Sequence, residues 1–259
     1  MRRIAIFALV SLLTVPVWSQ TSDEVAKNAQ QARAVLDKMV EALGGQAWLD
    51  IKNREQHGHV AGFFHGNPDP GTTEIFEFHS WPDHDRVDVT KHRDYVQFFT
   101  GRESWEVTWR GKKEIPKEQT DEYLRRRDHS IETAVKVWLK DPATILLYEG
   151  QHMAARHLAE QVTLISSLNE SVTILCDMQT HLPLQRSFEW RDPVYKDKNT
   201  DTEEYADYHT FQGFPTALNI SRSKNGEMVR QFYIDKVTYN ENLPDDFWSV
   251  DAAEKRIKK

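Results

Sequence analysis

The sequence predicts an α+β fold. The expected architecture is a curled antiparallel sheet, an incomplete β-barrel of about 11–12 strands. An N-terminal helix and a two-helix insert are expected to cover its concave face. Three observations predict this. A helical stripe occupies residues 23–43. Runs of period two, separated by tight turns, fill most of the remaining chain. A single break of helical composition spans residues 116–139.

In the first helix Val25, Ala29, Ala32, Leu36, Met39, Val40 and Leu43 recur at steps of three and four, which places them on one face. Ser22 suits the N-cap, and Asp23 and Glu24 suit the positive helix end. Gly44-Gly45 supplies residues able to take the left-handed conformation that stops a helix. Five short strands then read as a meander: Glu55 to Phe64, Thr72 to Trp81, Arg86 to Thr90, Tyr95 to Thr100 and Ser104 to Arg110. Turn residues separate them, as in Asn67-Pro68-Asp69-Pro70-Gly71. The helical insert divides near Asp128-His129 and stops at Asp141-Pro142. Seven further strands come after it: Ile145 to Glu149, Leu158 to Ser166, Ser171 to Cys176, Leu182 to Trp190, Glu203 to Gln212, Ala217 to Ser223 and Met228 to Tyr239. Asn225-Gly226 is a hairpin signal between the last two. Asp192 to Thr202 reads as a charged hairpin loop. No parallel crossover pattern occurs, and a long meander tends to curl to protect its edges.

Residues 1–19 read as a signal peptide, 20–250 as one half-barrel domain and 251–259 as a frayed tail. Arg2-Arg3 precede the apolar run Ile4 to Val15, and Val17-Trp18-Ser19 suits a cleavage site. The expectation is a soluble exported protein, most simply periplasmic. The 259 residues carry a net charge of −7, and the segment after Ser19 carries −9 because Arg2 and Arg3 leave with the leader. That charge disfavours nucleic acid and charge-driven adhesion to an anionic membrane. Cys176 is the sole cysteine, in the apolar run 172–176, so no intrachain disulfide forms and a buried thiol is expected.

The layout resembles the LolA/LolB-like family of periplasmic lipoprotein carriers. The likeness rests on Val35 to Gly45, Pro82 to Arg86, Tyr148-Glu149-Gly150 and Leu182-Pro183-Leu184. It continues in Tyr205-Ala206-Asp207-Tyr208, Gly213-Phe214-Pro215 and Asn242 to Phe247. The resemblance implies an incomplete barrel with helices as a lid over an apolar cavity that holds lipoprotein acyl chains. Some relatives are implied to be sensor domains of envelope-stress regulators.

Reaction motifs are absent: no G-x-S-x-G, phosphate-binding glycine loop, H-E-x-x-H or C-x-x-C pair occurs. No catalytic residue and no cofactor is predicted. His57 and His59 share a strand face and, with His79, Asp83, His84 and Asp85 across a hairpin, raise the question of a metal site. A solvated outer face is the preferred reading. The alternating carboxylates of 197–203 lack the Gly and Glu of a calcium loop. Arg125-Arg126-Arg127 suits either a phosphate clamp or a solvated helix face, and the solvated face is preferred. The in-phase apolar residues suit either a ligand cavity or a filled interior. The candidate lining is Phe76, Phe78, Val87, Val89, Trp105, Val107, Trp109, Leu184, Phe188 and Trp190, with Met39, Leu43 and Trp138 from the helices. The leading expectation is a non-enzymatic binding or carrier protein for a lipid or a lipoprotein acyl chain. The alternatives are an envelope sensor or protein-interaction module with the same fold and, behind it, a metal-dependent enzyme.

Overall fold

The computed structural model describes residues 22–258. The signal peptide expected over residues 1–19 lies outside the described residues. Among the described residues, fourteen strands form one open antiparallel sheet. They are β1 (Asn53–Phe64), β2 (Asn67–Pro68), β3 (Thr73–Ser80), β4 (His84–Val89), β5 (Tyr95–Thr100), β6 (Glu103–Thr108), β7 (Gly111–Glu114), β8 (Ile145–Ala154), β9 (His157–Ile165), β10 (Ser171–Asp177), β11 (Pro183–Arg191), β12 (Lys198–Phe211), β13 (Phe214–Lys224) and β14 (Glu227–Tyr239). The order across the sheet is β7-β6-β5-β4-β3-β1-β14-β13-β12-β11-β10-β9-β8, with β2 paired to β1. The count exceeds the expected 11–12 because of two very short strands, β2 within the turn expected at 67–71 and β7 directly after the fifth expected strand. β12 also begins at Lys198, inside the stretch expected to be loop.

Two meanders therefore meet at one seam, where β1 pairs with β14. The register shifts between His57 and Gly58. A Cβ on Gly58 would lie 2.0 Å from the Tyr233 carbonyl oxygen, so the approach of the two strands requires glycine here. The free edges are β7 and β8, and the chain between them supplies the insert.

The helices are α1 (Ser22–Leu43), α2 (Gly45–Leu49), α3 (Lys117–Asp128), α4 (Ile131–Lys136) and α5 (Val250–Ile257), with a 3-10 turn at Trp138–Lys140. Gly44 and Gly45 have φ of 125° and 61°, the geometry that ends α1 and turns the chain into α2. α1 buries Ala32, Val35, Leu36, Met39 and Leu43, whereas Val25, at the start of the expected stripe, is exposed. The Asn28 side chain donates to the Tyr148 carbonyl at 2.8 Å and accepts from its N–H at 2.9 Å, which ties α1 to edge strand β8. The insert divides at His129, and the Ser130 hydroxyl caps α4 by accepting from the Thr133 N–H.

The main core joins α1, α2, α4 and the 3-10 turn to the sheet, including Val162, Leu164, Val172, Ile174 and Phe232. Cys176 is buried in this core, and burial pushes its thiol up to about 12. The C-terminal segment corrects an expectation. The sequence predicts fraying over residues 251–259, but Val250–Ile257 is helical, capped by Ser249 and docked through Ala253 on Val96, Phe98 and Val107. The reason is a short amphipathic stripe of Val250, Ala253 and Ile257 meeting apolar residues of β5 and β6. Arg86 secures the preceding tail by donating to the Phe247 carbonyl at 2.7 Å and lying over the Phe247 ring.

Candidate functional site

Strand alternation assigns the two faces of the first meander different tasks. Phe99, Ser104 and Asp85 contact the insert: Phe99 stacks on Tyr123 with centroids 3.6 Å apart, the Ser104 hydroxyl hydrogen bonds to Thr120, and Asp85 pairs with Arg127. Their neighbours Phe98, Trp105 and Arg86 face α5 and the tail. The helix-facing phase near the seam is strongly charged. β1 presents Arg54 and Gln56, β3 Glu77 and His79, β11 Arg186, β12 Asp201 and Glu203, β13 Arg222 and β14 Arg230. The insert answers with Glu122, Arg126, Arg127 and Glu132.

These charges are paired, some between neighbouring strands and some between the insert and the sheet. Arg54 Nη1 lies 2.8 Å from Glu132, Arg127 Nη1 3.1 Å from Asp85, and Arg186 Nη2 2.7 Å from Glu203. Arg222 Nη2 lies 2.8 Å from both Asp201 and Glu122. Arg127 also donates to the carbonyls of Gly101 at 2.6 Å and Asp83 at 3.0 Å, so it ties α3 to two turns of the sheet. Arg125 lies 3.7 Å from the Trp190 ring centroid.

Two of these guanidiniums are under-neutralised. Among the described residues Arg126 has one carboxylate, Glu122 at 3.0 Å, and shares the same Oε1 with Arg222. Burial, followed by the charge of Arg222, pulls Arg126 down to about 10. Arg186 is 1% exposed, and its Nε and Nη1 find no hydrogen-bond partner among the described residues. Leaving such a donor buried and unpaired costs about 1–3 kcal/mol. Burial pushes the Glu203 carboxyl up, but Arg186 outweighs it and holds the group at about 2.

Between cover and sheet lies a cavity of about 200 Å³ whose wall includes Arg54, Glu77, Arg126, Arg127, Arg186, Glu203, Tyr205 and Arg230. A second space of about 80 Å³ shares Arg54, Gln56, Glu132, Tyr205 and Ile220 with it. Its remaining wall is largely apolar: Leu43, Trp48, Ile131, Pro183, Tyr208, Pro215, Ala217 and Tyr239. The interior therefore grades from ionic to apolar.

Of the residues expected to line a cavity, Phe78 borders the ionic space and Leu43 the apolar one. Met39, Trp138 and Phe188 are buried in the main core, and Trp190 and Val89 pack at its margin. Val87 is half-buried beside Glu77 and Gln97. Phe76 stacks on His57 at 4.2 Å, under Arg93. Trp105 and Val107 pack against α5. Leu184 joins Ala154, Ala159 and Leu175 in a small cluster of its own, and Trp109 is 70% exposed. The apolar phase of β3 and β6 thus belongs largely to the face opposite the insert. Arg126 and Arg127 correct the expectation of a solvated helix face: their side chains are 19% and 10% exposed and turn onto the sheet. The sequence signal that marked them was the charged phase of the strands, in particular Glu77, Arg186, Glu203, Arg222 and Arg230.

The histidines hold separate carboxylates. His57 pairs with Glu74 at 2.8 Å, His59 with Asp235 at 3.0 Å and His84 with Asp83 at 2.9 Å, while His79 pairs with Asp85. Among the described residues no group of three His, Cys, Asp or Glu side chains is arranged to hold a metal ion. No helix among them is long and apolar enough to cross a membrane.

No family model and no curated protein matches this chain. Solved structures do. A DUF1329 family protein from Desulfovibrio piger aligns with a TM-score of 0.59 at 12% identity, over 86% of this chain and 98% of that one. A protein from Vibrio parahaemolyticus, described as an outer membrane lipoprotein-sorting protein domain, aligns at 0.56 and 9% identity over 88% and 100%. A LolA superfamily protein from Nitrosomonas europaea aligns at 0.53 and 13% identity over 85% and 98%. At such identities the likeness is one of fold: the chain has the LolA-like curled sheet with covering helices.

Proposed function

We propose that this protein is a non-enzymatic binding or carrier protein of the periplasm. Its ligand is lipid-like, such as a lipid or a lipoprotein acyl chain, taken up between the α3–α4 cover and the sheet. The observation that supports this reading is the graded interior, apolar beside Leu43 and Trp48 and ionic beneath α3. Ligand sites usually occupy about 300–1,000 Å³. The apolar space of about 80 Å³ is a closed state that must widen to admit a chain. The cover is suited to move because ion pairs hold α3 in place. Their mutual attraction is largely offset by the desolvation of the charges, so docking and release are close in free energy. An entering chain gains about 0.8 kcal/mol for each CH₂ it buries.

Mass spectrometry of lipids extracted from the purified protein tests the reading, with a fluorescent fatty acid as a second probe. Co-purifying lipid and saturable fatty-acid binding are expected; absence of both refutes it. A lock sharpens the test. Ser104→Cys with Thr120→Cys replaces two hydroxyls that touch across β6 and α3. When oxidised, this variant should lose fatty-acid uptake, and reduction should restore it.

A further inference from the structure

We infer that the ionic half of the interior is an oxyanion site, in which Arg126 and Arg186, flanked by Arg230, take the phosphate or carboxylate head of an amphipathic ligand. The inference rests on the binding-protein reading above and adds the chemistry of the ligand's polar end.

The guanidiniums in the wall differ in how fully they are neutralised. Arg54, Arg127 and Arg230 each have a carboxylate of their own: Glu132, Asp85 and Glu77. Arg186 has Glu203 on Nη2 alone; its Nη1 is 3.9 Å from Asp201, and Nε and Nη1 are without hydrogen-bond partners among the described residues. Arg126 shares its carboxylate oxygen, Glu122 Oε1, with Arg222. Five guanidiniums line the space, and what sets Arg186 and Arg126 apart is the geometry of their pairing: unpaired donors on the first, a shared carboxylate oxygen on the second. An oxyanion would accept from the Arg186 donors that are now unpaired. Guanidinium suits such a partner because its planar fork meets two oxygens at once. Arg126 lies on the cover and Arg186 on the sheet, so a bound head group would bridge the two. Its chain would then run along the shared wall of Ile220 and Tyr205 into the apolar space.

Calorimetric titration of the whole protein in low salt with dodecyl phosphate, dodecanol and inorganic phosphate tests this. Dodecyl phosphate should bind at least about tenfold more tightly than dodecanol, because it alone forms charge-assisted hydrogen bonds. Arg126→Gln and Arg186→Lys should each close most of that gap. The surface control Lys117→Gln should keep it. Arg126→Gln sits on the cover and reports even where Arg186→Lys fails to fold. Equal affinity for dodecanol and dodecyl phosphate overturns the inference, as does a preference that survives both substitutions. Binding of inorganic phosphate that depends on Arg126, with neither dodecyl compound bound, keeps the anion site, identifies free phosphate as its source and removes the carrier reading. No binding of any probe overturns both.

Discussion

The two ends of the helical cover hold to the same sheet by different physics. At one end α1, α4 and the 3-10 turn bury Leu36, Met39, Ala134, Val135 and Trp138 against aliphatic strands. At the other, α3 rests on Arg127, Glu122 and Arg126, with Thr120, Tyr123 and Leu124 as its main uncharged contacts. Apolar burial is lost whole when a helix lifts, at about 25 cal/mol for each Å² exposed. Ion pairs regain hydration when they part, which returns much of what they gave. On the proposed function, the apolar end is therefore the anchor and the ionic end the part that would open. The contrast teaches that a cover can be firmly attached and still be exchangeable over part of its length.

The largest expected effect falls on the anchor. Met39→Asp places an unpaired charge at a position that is 0% exposed and should remove about 4 kcal/mol or more of stability, read as a collapse of the thermal transition. A mild effect would show that α1 is not docked there. Breaking one pair at the ionic end comes next. Glu203→Gln leaves Arg186 charged in the interior and should cost about 3 kcal/mol in denaturant unfolding. Replacing both partners together, Arg186→Met with Glu203→Leu, should recover most of that loss. If the double change is as harmful as the single one, packing and not charge governs the site.

Acid should separate the two ends more gently. Glu203 is held at about 2, and Glu122 and Glu132 are held below the usual carboxylate range, in each case by arginines that outweigh burial. A carboxylate whose folded value is depressed stabilises the fold above its unfolded value. That contribution is lost as pH falls through the folded value. Protection of the α3 amides, with exchange referred to its intrinsic rate at each pH, should therefore fall as pH drops from about 4.5 and Glu122 is protonated, ahead of protection in α1. Simultaneous loss of both helices would refute the division. The smallest effect is expected on the outer face of α1, where Arg33 and Asp37 form an exposed pair. Arg33→Ala should change stability by less than about 0.5 kcal/mol.

Much of the fold was legible locally. The stops at Gly44-Gly45, the break at His129 and the hairpin at Asn225-Gly226 arise from backbone preferences that need no partner. β2 and β7 were missed because two to four residues carry no period. The candidate site was legible only in part. The apolar phase of β3, with Phe76 and Phe78, and of β6, with Trp105 and Val107, stood out. Alternation shows that two faces differ without showing which one a distant helix will cover. α5 and the tail take much of that phase, and their sequence is short and mostly charged.

By itself, then, the sequence determined the kinds of element, their order and their antiparallel character, because period and turn chemistry act over a few residues. Only the tertiary structure decided which face the insert occupies and that Arg126, Arg127 and Arg186 are interior. Those arginines are held by acids at positions 85, 122 and 203: Glu122 one turn away on the same helix, Glu203 opposite Arg186 on the neighbouring strand, and Asp85 on a strand that α3 reaches only in the folded chain. A guanidinium is buried or solvated according to whether such partners converge on it, and that convergence is a property of the assembled sheet.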